Sequence, residues 1–190
     1  MTKKALRQLY NSKRLELAPQ QLLKWDDLLL IHFQRLAFDD NMGLLLSYFP
    51  MAHKAEVDPN FFGRYLLHTH QHLQVAYPVI NYAAGTMQAH LLNDANEVAT
   101  NEYLIDEPLN GTLVVPTEID VVFVPLLAFN KQGFRVGYGK GFYDRFLKTC
   151  REDVITIGFS YFKAVDHIDD LNQFDVPLNY CVTPQQLYEF

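Results

Sequence analysis

Between positions 133 and 141 four glycines fall in nine residues, interleaved with Arg135 and Lys140 and followed by Asp144. Glycine reaches backbone conformations closed to other residues and leaves main-chain N–H groups open to a ligand. Two cations beside such a backbone, at the start of a helix, make an anion site, most simply a phosphate site. A carboxylate next to bound phosphate can hold Mg²⁺. The pattern points to a nucleotide-using enzyme, yet it is neither of the common phosphate loops. The GxxxxGK[ST] spacing and its hydroxyl are missing, and Phe142 stands where the last glycine of GxGxxG would fall. GxSxG, HExxH and a paired Cys–His motif are missing too. What remains is chemistry by positioning and charge neutralisation, the main requirement of phosphoryl transfer. The structural alternative is a loop whose glycines serve only tight turns, with Asp144 capping its helix.

The elements that must position this loop follow from periodicity. Val121 to Val124 is β-branched-rich, short and bounded by Pro125, the pattern of a strand covered on both faces. A helix is expected from about 139 to 151, with Phe142, Phe146 and Leu147 facing the sheet. Upstream, residues 3–16 read as a helix with Leu6, Leu9 and Tyr10 along one side, and Lys3 and Arg7 share a face four residues apart. Pro19 opens a second helix to about 37, striped by Leu22, Leu29, Phe33 and Leu36, and the two are expected to pack as a pair on one side of a sheet. Gly43 to Phe49 reads as a strand, followed by a loop at 51–57 and a helix through Phe61, Phe62, Tyr65 and Leu66. Ligand contacts are expected in that loop, at the strand's carboxyl end.

Val75 to Tyr82 and Met87 to Leu92 form a strand pair around Gly85. Residues 93–118 have weak periodicity, and Asn101 to Pro108 reads as a solvated connection with polar residues that could line a pocket. His68, His70 and His72 read as helix-end residues rather than metal ligands. Val154 to Phe159 is another strand. Asp166, Asp169 and Asp170 form a solvated face, and Asn179 to Thr183 is a short edge strand. Strands alternating with helices predict a layered α/β domain with a mainly parallel, mixed sheet over residues 1–190.

The composition narrows the partners. A chain of 190 residues with 49% apolar and 20% charged residues is expected to be a single globular domain. Its formal net charge of −6 argues against nucleic acid as a partner. The basic segment Lys3, Lys4, Arg7, Lys13 and Arg14 is then either an exposed helix face or a cluster for polyphosphate. Two cysteines give no disulfide framework, and no signal-peptide core or membrane-span-length apolar run occurs, so a cytoplasmic location is expected.

Val124-Pro125 through Phe129-Asn130, continued by Gly133 to Leu147, resembles the signature of the 5-formyltetrahydrofolate cyclo-ligase (methenyltetrahydrofolate synthetase) family. Lys3 to Arg7 resembles that family's opening K-x-x-L-R, Tyr48 to Val57 its substrate loop, and Phe174 to Thr183 its C-terminal segment. The resemblance implies a three-layer α/β/α fold akin to sugar-phosphate isomerases and CoA transferases. It implies ATP- and Mg²⁺-dependent cyclisation of 5-formyltetrahydrofolate to 5,10-methenyltetrahydrofolate, a small-molecule substrate with or without a polyglutamate tail; a monomer is expected.

Carried over by position, Lys3, Lys4 and Arg7 match nucleotide-binding residues, as do Arg135, Val136, Gly137, Tyr138, Gly139, Lys140, Gly141, Phe142 and Tyr143. Tyr138 to Phe142 also border the folate, together with Met51 and Glu56, and Asp144 and Asp175 match metal positions. Lys140 and Arg135 are the implied catalytic cations. The simpler alternatives are a turn before Pro177 for Asp175 and a solvent-facing Glu56. Three departures stand out: Phe142 where tyrosine is frequent, Asn179 where an acid is common, and a longer loop at Pro50 to Lys54. A non-catalytic folate or nucleotide binder of the same fold is the alternative function. A sugar-phosphate isomerase would need a general base beside the phosphate site, and no such pairing is visible.

Overall fold

Val121, Val122, Phe123 and Val124 are all fully buried, and the sheet is built outward from them. The structure, a computed structural model, describes residues 1–92 and 97–190. In chain order the elements are helices α1 (Lys3–Leu15) and α2 (Pro19–Phe33), strand β1 (Leu44–Leu46) and helix α3 (Asn60–Thr69). Strands β2 (Gln74–Asn81), β3 (Thr86–Leu91), β4 (Val98–Thr100), β5 (Asp106–Pro108), β6 (Thr112–Val114) and β7 (Val121–Val124) follow. The remainder is a ribbon of β8 (Ala128–Phe129) and β9 (Arg135–Val136), helix α4 (Phe142–Leu147), and strands β10 (Ile155–Phe159), β11 (Tyr180–Val182) and β12 (Leu187–Glu189).

The main sheet has eight strands in the order β12-β11-β10-β7-β1-β2-β3-β6. From β11 to β2 neighbours run parallel, while β12 on one edge and β3 and β6 on the other pair antiparallel. Because side chains alternate along a strand, β7 feeds both faces. Val121 and Phe123 join Phe33 of α2 and Phe62 of α3 in one core, and Val122 and Val124 join Phe146 and Leu147 of α4 in the other. The Phe33 ring lies 5.1 Å from Phe62 and 5.9 Å from Phe123, so aromatic packing fixes the helical layer on the sheet. The result is the expected α/β/α arrangement with a mixed, mostly parallel sheet.

Several elements differ from the sequence reading for local reasons. Helix α4 starts only at Phe142 because Gly139 and Gly141 adopt left-handed φ values of +96° and +68°. Strand β11 is not the edge, since Leu187–Glu189 adds β12 outside it. Asn179 holds the approach to β11, its Oδ1 accepting from both the N–H and the hydroxyl of Thr156 at 2.8 Å. Within the weakly periodic stretch, residues 93–96 lie outside the described residues, while β4 pairs with β5 and β6 joins the main sheet. His70 ends α3, with Nδ1 3.3 Å from the Leu66 carbonyl oxygen. The first two helices do not stack as a pair. Helix α2 lies on the sheet, whereas Leu6 and Tyr10 of α1 pack on Leu127, Ala128 and Val136 of the β8–β9 region and on Ile168. That displacement carries the basic face of α1 to the sheet's carboxyl edge.

Candidate functional site

Strand β1 pairs with β2 on one side and with β7 on the other, so the chain changes direction across the sheet between β1 and β7. A crevice at the carboxyl ends of strands is expected at such a switch. A cleft of about 820 Å³ opens there, floored by residues that follow β1 and β7, such as Tyr48 and Pro125, and roofed by the glycine loop. Its two ends differ in chemistry.

At the first end the loop is shaped around cations. The Arg7 Nε donates to the Gly137 carbonyl at 2.8 Å, and a Cβ on Gly139 would sit 3.1 Å from the Arg7 guanidinium carbon. Gly139 is therefore required both for its φ and for the close approach of Arg7. Arg135 is 7% exposed. Its Nη2 donates to Asp144 Oδ1 at 3.0 Å, and its Nη1 donates to the Val176 carbonyl. Burial pulls the Arg135 pKa down while Asp144 and Asp175 push it up. Arg135 thus braces the site from beneath. Lys140, by contrast, is exposed on the cleft wall and has no carboxylate partner among the described residues. The Lys3 ammonium reaches both oxygens of Asp175 at 2.6 Å.

Asp144 does not cap its own helix; its Oδ1 accepts from Arg135 and from the Val176 N–H at 3.1 Å. Helix α4 has only six residues, so its dipole adds little, and the anion site rests on side-chain cations and loop N–H groups. Two sequence candidates fall outside the cleft: Lys4 points to solvent, and Val136 is fully buried against α1.

Asp144 and Asp175 both line this end, and Asp144 Oδ2 has no hydrogen-bond partner among the described residues. No group of three or more His, Cys, Asp or Glu gathers among the described residues. An all-protein metal cage is therefore lacking. Two carboxylates beside a phosphate pocket do fit Mg²⁺, which keeps waters and takes phosphate oxygens as ligands.

The second end is aromatic and holds one buried acid. A 3₁₀ turn at Ala52–Lys54 and the left-handed Ala55, with φ +46°, swing Glu56 inward to 8% exposure. Its solvent-facing alternative is therefore overturned. Glu56 Oε2 accepts from the Met51 N–H at 2.9 Å, and Oε1 accepts from the Tyr138 hydroxyl at 2.5 Å. Burial raises the Glu56 pKa, opposed by Arg14, Tyr138, the Met51 N–H and Lys54. Opposite lies an aromatic wall: Tyr82 packs on Tyr103 with centroids 4.2 Å apart and meets Phe142 edge-on at 5.7 Å. Phe142 keeps the ring that this wall needs. The buried Tyr143 hydroxyl has no partner among the described residues.

Four further residues line or brace the cleft: the sequence marks Arg14 only within the basic segment, Tyr103 only within a loop that could line a pocket, Asp170 only within a solvated face and Tyr82 only as the end of a strand. Arg14 lies seven positions from Arg7, about two helical turns, so its placement on the same face was available in principle. Tyr82, Tyr103 and Asp170 line the cleft, and Asp170, solvent-exposed as expected, also accepts the Lys3 N–H at 2.6 Å. No local pattern joins these three to one cleft.

The model of the 5-formyltetrahydrofolate cyclo-ligase family matches residues 2–184. A 5-formyltetrahydrofolate cyclo-ligase of Mycoplasma genitalium is 38% identical over 82 residues, covering 43% of this chain and 48% of that protein. One of Escherichia coli K12 is 31% identical over 121 residues, covering 62% and 66%. The matched stretches thus span between about half and two thirds of these relatives' own lengths. The structure of Aquifex aeolicus 5,10-methenyltetrahydrofolate synthetase superposes with a TM-score of 0.80 at 24% identity, covering 100% of this chain and 93% of that one. The Mycoplasma pneumoniae 5,10-methenyltetrahydrofolate synthetase gives a TM-score of 0.75 at 25% identity, covering 96% and 98%.

Proposed function

Since this chain belongs to the 5-formyltetrahydrofolate cyclo-ligase family, we propose that it uses ATP to cyclise 5-formyltetrahydrofolate to 5,10-methenyltetrahydrofolate. The observation that carries the reading is a single cleft with a cationic glycine loop at one end and a buried carboxylate beside aromatic rings at the other. Tyr138 of that same loop touches the carboxylate.

The chemistry follows from the substrate. An N-formyl group is an amide and a poor electrophile. Its oxygen attacks the γ-phosphorus of ATP, and ADP leaves. The neighbouring folate nitrogen then attacks the formyl carbon and loses its proton, while the C–O bond breaks and inorganic phosphate departs with the oxygen. Ring closure is fast only if the two substrates are held in line and the transferring charge is offset.

In this reading Lys140, free on the wall, meets the phosphates, and Arg7 and Lys3 flank them from α1. Arg135 acts by holding Asp144. Lys4 and Val136, set off the cleft, have no direct contact with the nucleotide. Asp144, and Asp175 once released by Lys3, would hold Mg²⁺. When bound, the ion neutralises phosphate charge and orients the γ-phosphoryl group. Glu56 accepts N–H donors of the pterin, Met51 presents its backbone beside it, and Tyr82, Tyr103 and Phe142 offer flat apolar contact.

The proposal includes a cytoplasmic enzyme, consistent with two free thiols at Cys150 and Cys181. It includes a monomer and a folate with or without a polyglutamate tail. No helix among the described residues is long and apolar enough to cross a membrane.

The test is direct. The protein is mixed with 5-formyltetrahydrofolate and Mg-ATP, and methenyltetrahydrofolate is followed by absorbance. No product from folded protein overturns the reaction, and binding without turnover points to the non-catalytic alternative.

A further inference from the structure

Arg14 has no part in the chemistry just proposed, yet it is only 3% exposed and extends from α1 to the aromatic end of the cleft. Its Nη2 donates to the Tyr138 hydroxyl at 2.6 Å, and its Nη1 donates to the Leu126 carbonyl at 3.4 Å. The Tyr138 hydroxyl in turn donates to Glu56 Oε1 at 2.5 Å, while the Met51 N–H takes Oε2 at 2.9 Å. An ionised carboxylate has about four acceptor sites over its two oxygens. These contacts leave one site on each oxygen. A direct Arg–carboxylate fork would occupy both oxygens. Placing a hydroxyl between the ions lets the cation offset a buried negative charge without using the acceptors that a ligand needs.

We infer that Arg14 is a positioning residue: through Tyr138 it holds Glu56 as an oriented anion whose two remaining acceptor sites take two adjacent N–H donors on the pterin edge of the folate. The inference rests on the proposed function. The groups facing Glu56 are Arg14 from α1, Tyr138 from the glycine loop and Tyr143 from α4. Lys54 and the Met51 N–H face it from its own loop, and Tyr48 from the end of β1. Burial pushes the Glu56 pKa up, and Arg14 is the foremost of the groups that pull it back. Folate affinity is lost as pH falls through the Glu56 pKa. Removing Arg14 raises that pKa, so the acid limb of folate binding moves to higher pH.

Equilibrium binding of 5-formyltetrahydrofolate and of Mg-ATP is measured against pH for wild type, Arg14→Met, Arg14→Lys and Tyr138→Phe. Arg14→Met and Tyr138→Phe are expected to weaken folate binding by about tenfold or more, with a smaller change for Mg-ATP. Arg14→Met also shifts the acid limb upward, and Arg14→Lys restores part of both losses. An Arg14→Met protein with wild-type folate affinity and an unmoved acid limb overturns the positioning role while leaving the reaction standing. Failure of the wild type to bind the folate overturns the reaction itself. If Arg14→Met does not fold, Tyr138→Phe decides, because it keeps the ring and removes only the bridging hydroxyl. An unchanged affinity and pH profile in that variant then overturns the inference.

Discussion

Arg135 and Lys140 stand five residues apart in one loop and meet opposite environments. Arg135 is buried and paired with Asp144, whereas Lys140 is exposed and pairs with no carboxylate among the described residues. Removing the free cation and breaking the buried pair should therefore separate function from stability in different ways. Lys140→Ala is expected to lower turnover roughly a hundredfold or more while moving stability by no more than about 0.5 kcal/mol. Asp144→Ala strands a buried guanidinium, so it should lose turnover and also about 3 kcal/mol of stability. Assay and denaturant melts on both variants check this; a Lys140→Ala protein that melts early would place Lys140 in the scaffold. Both residues were legible in sequence as site candidates. Their division into a free cation and a brace was not, since burial is a property of what packs around the loop.

At the scale of the element, the glycine loop and α1 are shaped against each other. Gly139→Ala imposes a left-handed φ on a residue with a side chain, costing about 1–2 kcal/mol, and its Cβ would press on Arg7 at 3.1 Å. The KM for ATP is expected to rise about tenfold, with a smaller effect on the KM for folate; equal effects would argue against Arg7 as a nucleotide contact. A second junction binds the sheet at its opposite end. Asp120 Oδ2 accepts from the Gly43 and Leu44 N–H groups at 2.7 and 2.8 Å, and Oδ1 accepts from Arg151 at 2.7 Å. Burial pushes the Asp120 pKa up, but Arg151 and the two N–H groups outweigh it and leave the pKa below the usual 3.8. A depressed carboxylate pKa means that its stabilisation is complete above the unfolded value and lost as pH falls through the folded one. Asp120→Asn should cost about 1–3 kcal/mol at neutral pH. The gap from wild type in urea melts should narrow as pH falls below the unfolded carboxylate pKa of about 3.9 and through the lower folded one; a gap of constant size would exclude this linkage.

At the scale of the whole molecule, the cleft is assembled from segments distant in the chain. The Lys3–Asp175 and Tyr138–Glu56 contacts join residues 172 and 82 positions apart. A ligand that bridges such segments stabilises only the folded state. Mg-ATP at a hundredfold excess over its Kd should add about 2.7 kcal/mol and raise Tm by roughly 5–10 °C. Lys140→Ala should reduce the shift at a fixed Mg-ATP concentration. A wild-type Tm that ignores Mg-ATP would argue against nucleotide binding in this cleft.

What the sequence determined alone was local or short-range. The β-branched run at Val121 to Val124 and the aromatic positions Phe33, Phe62 and Phe123 already encoded a sheet covered on both faces, because side-chain periodicity is set by backbone geometry. The glycines, Arg135, Lys140 and Asp144 already encoded an anion site, because their chemistry is carried by residue type and spacing. Tertiary structure alone decided that α1 leaves the sheet face for the β8–β9 ribbon, and that Arg14 lies beneath Tyr138. It also decided that Tyr82, Tyr103 and Asp170 line the same cleft. Those placements depend on which distant apolar faces meet and on where buried charges find partners. Short-range patterning in the chain encodes neither.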